Sequence, residues 1–138
     1  MFSNDECICN ECICNEFARI LGGQEGFAGG KCVATINRNE IHATILGKRF
    51  GVTSSFSFES RDIQTKQALC LGRVALLQNE VEIFVASIIN TGIIVSSIHN
   101  EWLFDHPHLI YVNIEAVENP LVFAKKVRKA LNHLMCDE

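Results

Sequence analysis

Apolar residues recur at Val81, Phe84, Val85, Ile88 and Ile89, the i, i+3, i+4, i+7, i+8 spacing of one helix stripe. The spacing predicts a helix over about 79–91. Glu80 and Glu82 sit in its first turn, where the helix dipole favours acids, and Gly92 is a natural stop. A second stripe, Leu121, Ala124, Val127, Leu131 and Leu134, predicts a last helix opened by Asn119 as N-cap and Pro120 as first helical residue. Lys125, Lys126, Arg128 and Lys129 form its wet side. Strand patterns cover 32–37, 41–46, 51–59 and 68–77. In the third, Val52, Ser54, Phe56 and Phe58 share one face; in the fourth, Gly72 predicts a bulge or bend. The stretch 93–98 is uniformly apolar or small and reads as a strand covered on both faces. Another strand follows at 109–114. The order β-β-β-β-α-β-β-α predicts an α+β fold, a mostly antiparallel sheet with helices packed on one face.

The N-terminal sixteen residues stand apart. Cys7-Ile8-Cys9-Asn10-Glu11 is repeated as Cys12-Ile13-Cys14-Asn15-Glu16. We expect a Cys-rich and flexible segment over 1–16, then a single domain over 17–138. A short helix is expected over 16–21, closed by Gly22-Gly23, with a flexible turn region from Gly26 to Gly30.

With 138 residues, 48% hydrophobic and 20% charged, the chain can bury one core. The net charge of −4 argues against a nucleic-acid partner. No basic start followed by an apolar stretch marks a signal peptide, and no run is long enough to span a membrane, so the expectation is a cytoplasmic protein. In that compartment the seven cysteines read as thiols or metal ligands rather than disulfides. Cys7, Cys9, Cys12 and Cys14 could hold zinc or copper through clustered thiolates, take part in redox chemistry, or form a tail of free thiols. Cys32 and Cys70 read as buried small hydrophobes.

The densest chemistry lies at 99–108, His-Asn-Glu-Trp-Leu-Phe-Asp-His-Pro-His. In an extended backbone His99 and Glu101 share a side. Asp105 follows from the loop, and Asn113 would approach from the next strand if the register allows. These groups could bind a small molecule, hold a divalent metal with His99 and Glu101 as ligands, or pair as acid and base. A plain turn-capping role for the same residues stands beside those readings. Arg38, next to Glu40, is either half of a turn ion pair or an anion-binding partner for His99.

From about Phe17 to Leu134 the chain resembles the LppY/LpqO family, bacterial proteins without an established function. The resemblance rests on the Gly22-Gly23 to Gly30 turn, Arg38-Asn39-Glu40, Ser54-Ser55-Phe56-Ser57-Phe58, Glu80-Val81, and the strand from Gly92 to Val95. It rests most on His99-Asn100-Glu101, then Asp105-His106-Pro107, then a strand reaching Asn113. The family pattern has histidines where this chain carries Glu101 and Asn113, so an imidazole-rich set has become a harder, oxygen-rich one. The resemblance implies a site at His99, Glu101, Asp105 and Asn113 that takes a small molecule or a divalent metal. A metal-dependent hydrolase using the same residues, and a soft-metal or redox protein acting through Cys7 to Cys14, are the alternatives. A homo-oligomer is left open.

Overall fold

A computed structural model describes residues 10–136. The elements run α1 (Asn10–Leu21), β1 (Gln24–Ala28), β2 (Lys31–Asn37), β3 (Ala43–Ile45), β4 (Lys48–Phe50), β5 (Thr53–Glu59), β6 (Ala68–Leu77), a single 3-10 turn (Gln78–Glu80), α2 (Val81–Ile89), β7 (Ile94–Asn100), β8 (Asp105–His106), β9 (Leu109–Glu118) and α3 (Pro120–Cys136). Six strands form an antiparallel sheet in the order β1-β2-β5-β6-β9-β7; three short ones form a second sheet, β4-β3-β8. The fold is α+β, as the residue pattern predicts. Among the described residues no helix is long and apolar enough to cross a membrane.

Strand alternation divides the large sheet into two faces. One presents Cys32, Ala34, Phe56, Phe58, Cys70, Val74, Leu76, Val112 and Ile114 to the helices, which add Phe17, Leu21, Phe84, Ile88, Phe123 and Val127. Phe17 sits at the centre, edge-on to Phe58 and stacked with Phe123. The other face meets the small sheet at one end only. Ala75, Leu109 and Tyr111 there join Ile41, Ala43 and Val52 in a second core, with Phe50 and Trp102 at its margin. Val52 therefore parts from Phe56 and Phe58, which it was expected to accompany.

Asn119 caps α3: its Oδ1 accepts from the Leu121 N–H at 2.9 Å, and Pro120 occupies the first helical position. Asn119→Ala should cost about 1 kcal/mol in a urea titration; an unchanged midpoint would remove the cap from the account of this helix.

Several elements differ from the sequence reading for definite reasons. The stretch over 26–30 is not a loose turn but a hairpin, in which Gly29 and Gly30 both take positive φ and Ala28 faces Lys31. Gly72 makes no bulge. A Cβ there would lie 2.7 Å from Ile114 Cγ1 and 2.8 Å from Phe56 Cδ1, so the glycine admits its two cross-strand neighbours. The register shift falls instead in β7, between Val95 and Ser97. That strand is not covered on both faces. It is an outer strand of the large sheet, with Ile94 58% and Ile98 50% exposed.

Helix α1 is described from Asn10, so it takes in the second cysteine pentad and crosses the expected boundary at residue 16. Ile13 and Cys14 are buried on its inner side. Cys14 is bonded to Cys32 of β2, Cα to Cα 5.5 Å, and Cys12 is also disulfide-bonded. The expected thiols at these positions, and the reading of Cys32 as a simple small hydrophobe, are corrected accordingly. Cys7 and Cys9 lie outside the described residues. Cys70 is a buried free thiol, its pKa pushed up to about 12 by burial, with the nearby Glu118 charge adding to the effect.

Candidate functional site

Among the described residues the small sheet covers only one end of the outer face of the large sheet, and polar side chains gather on the rest. Cross-strand register aligns Ser55, Arg73, Asn113 and Ser97 in one row, and Ala75, Tyr111 and His99 in the next. Arg73 is the central charge. Its guanidinium lies 4.1 Å above the Tyr111 ring centroid, a cation–π seat. Tyr111 is itself fixed from behind, because Trp102 Nε1–H donates to its hydroxyl at 3.2 Å.

Glu101 follows the last residue of β7 and folds back to pair with Arg73. The same Glu101 oxygen lies 3.5 Å from His99 Nε2, while His99 Nδ1 lies 3.5 Å from Ser97 Oγ. The Arg73 guanidinium beside it holds the Glu101 carboxyl below the ordinary carboxylate range. Asn113 stands between Arg73 and Ser97, and its Oδ1 is buried without a donor. A depression of about 270 Å³ opens next to it, lined in part by Ser55, Ser57, Arg73, Ser96 and Glu115. The depression can meet a small polar anion through Arg73 and several hydroxyls, with the His99 and Glu101 pair on the other side of the guanidinium.

His99, Glu101 and Asn113 thus share one sheet face. Asp105 and Arg38 are spent elsewhere. The Asp105 side chain is fully buried in β8, where Oδ2 accepts from the Leu109 N–H at 2.7 Å and Oδ1 lies 2.8 Å from His108 Nδ1. Burial alone would raise its pKa; the Leu109 N–H and His108 outweigh that and leave it lowered. It ties the loop back to β9. Arg38 gives its fork to Glu80 at 2.6 and 2.9 Å, reaches Glu40 at 2.8 Å, and donates to the Ala75 carbonyl. It serves as the centre of a structural ion-pair cluster instead of a partner for His99. Cys14, in its disulfide, offers no thiolate, and among the described residues no three His, Cys, Asp or Glu side chains come together as a metal set.

Arg73 and Tyr111 are the members of this cluster that the sequence reading passed over. A signal existed: Arg73 is the one charge inside the strand Ala-Leu-Cys-Leu-Gly-Arg-Val-Ala-Leu-Leu. A lone arginine in the middle of such a strand needs a partner on the face it occupies.

Fold and site define an α+β domain that buries one sheet face under helices and leaves a polar, ligand-sized depression on the other. Over residues 15–133 the chain matches the family described as Domain of Unknown Function (DUF1259), and it belongs to that family. No curated protein and no solved structure matches it.

Proposed function

We propose that this chain is a small-molecule-binding protein of the LppY/LpqO type, its ligand held against the open sheet face by Arg73, His99, Glu101 and Asn113. One observation carries the reading: an arginine fork seated on Tyr111 with Glu101, itself beside His99, paired to it, on a face that the described residues leave open. Cations of this kind are rarely assembled with an imidazole beside a cavity unless something is to be recognised there. A divalent ion at the same place has less support, because the Glu101 oxygen it would need is the one Arg73 holds. A hydrolase built on such an ion inherits that difficulty.

A thermal-shift screen of small organic acids and polar metabolites tests the proposal. At least one compound should raise Tm by several degrees, by mass action on the folded state. Arg73→Ala should weaken its binding at least about tenfold, the usual worth of a charge-assisted hydrogen bond. His99→Ala should weaken it less. A screen without stabilisers, or variants that bind as well as the parent, would defeat the reading.

A further inference from the structure

We infer that the tip formed by Leu46, Leu103 and Phe104 docks on the surface of an anionic lipid bilayer, as a peripheral contact and not a span. Leu46 and Gly47 are the whole loop between β3 and β4, because Ile45 pairs with Lys48 across it. Both loop residues have positive φ, 52° and 79°. A two-residue loop with that backbone favours asparagine before glycine, since the left-handed region is unfavourable for a bulky side chain. Leucine is a poor choice on a second count, for 73% of it is exposed. The chain accepts a backbone cost and a solvation cost at one residue, and folding requires neither.

Its neighbours continue the apolar surface. The Leu46 N–H donates to the Phe104 carbonyl at 3.1 Å, so the β3–β4 turn and the segment before β8 lie side by side. Leu103 and Phe104 are 81% and 63% exposed. Behind them Trp102 is fixed, edge-on to Phe50 and bonded to Tyr111, so little order remains to be gained on docking. A Cβ on Gly47 would meet nothing within 4 Å, which makes the turn a projection and not the floor of a groove. Bulky apolar groups on a projection suit the boundary between lipid headgroups and acyl chains. Charge then selects the kind of bilayer. Lys48 and Arg49 follow the turn, both exposed, and among the described residues neither has an acid partner. The acids flanking Leu103 and Phe104 are spent: Glu101 on Arg73, and Asp105, buried, on the Leu109 N–H. The tip is therefore locally basic on a chain of net charge −4, and basic groups beside inserted apolar ones gain from the phosphates of an anionic leaflet.

Co-sedimentation of the full chain with vesicles tests this, using phosphatidylcholine alone and phosphatidylcholine mixed with phosphatidylglycerol, both at low salt. The chain should partition onto the anionic vesicles with a constant on the order of 10³ M⁻¹, weaker than a single myristoyl chain, and detectably less onto the neutral ones. Leu46→Asn should weaken that partition by about fivefold and Phe104→Ser by about tenfold, the share of one partly inserted side chain each. Leu46→Asn should do so with Tm unchanged or raised, because asparagine suits the turn. Lys48→Gln and Arg49→Gln should each cost roughly fivefold on the anionic vesicles and nothing on the neutral ones. Ile63→Asn is the control: Ile63 is 82% exposed in the β5–β6 connection, at the other end of the large sheet, and its loss should change nothing. No sedimentation with either vesicle would overturn the inference, as would equal binding to both. So would tip variants that bind like the parent, or an Ile63 variant that loses as much. Self-association of the parent without lipid, abolished by Phe104→Ser, would make the tip an interface between copies and would also overturn it.

Discussion

Glu80→Gln lowers stability by about 3 kcal/mol at neutral pH, the low end for breaking a buried ion pair. The side chains of Arg38 and Glu80 are only 17% and 16% exposed, and their two bonds close a bidentate pair. Glu80 does more than balance charge. Its Oε1 also accepts from the Leu77 N–H at 2.9 Å, holding the 3-10 turn that starts α2, while Arg38 reaches the Ala75 carbonyl. One carboxylate therefore joins the end of β2, the end of β6 and the start of α2. Glutamine retains the shape and leaves Arg38 with Glu40 alone, which is 61% exposed. The pH dependence has a definite sign. Burial by itself would raise the Glu80 pKa, but Arg38 and the Leu77 N–H outweigh it and hold it below the ordinary value of 4.5. A depressed folded pKa stabilises above the unfolded pKa and is lost as pH falls through the folded one. Urea midpoints of parent and variant should differ fully at pH 7 and converge below about pH 4.5. Equal midpoints at pH 7 would show that desolvation cancels the pair.

How far this was visible in the sequence depends on whether neighbours in the chain or neighbours in space decide. The α2 and α3 stripes, the Asn119-Pro120 start and the strand at 68–77 are local patterns, and each is found close to where its periodicity places it. The His99 and Glu101 pairing is likewise local, two residues apart, with Glu101 just past the end of β7. Register is not local. It brings Arg73 beside Asn113, and it sends Asp105 into a two-residue strand against Ile45 with its carboxylate buried. The apolar run at 93–98 looked doubly covered because composition cannot tell a central strand from an outer one. Arg38 and Glu80 are separated by 42 residues, and no spacing rule joins them.

Cysteine pairing is the clearest case of the same limit, and it leads to the second large effect. The paired substitution Cys14→Ala with Cys32→Ala should lower stability by about 3 kcal/mol, or roughly 10 °C in Tm for a domain of this size. The bond closes a loop of 18 residues between α1 and β2, and the unfolded chain regains that freedom once it is gone. Both sulfurs are fully buried, so reductant should act slowly on the folded protein and quickly once it opens. The substituted pair isolates this bond from that of Cys12, which reductant would also cleave. Deleting residues 1–16 is a much harsher change. It removes Ile13 and Cys14 from the core and the first turns of the helix that seats Phe17. A soft-metal role for the cysteine pentads thus requires a reduced form that has lost the tie between α1 and the sheet. Disulfides of this kind persist where the surroundings are oxidising. If the substituted protein melts with the parent, the bond is incidental to the fold, and the thiolate reading regains its ground.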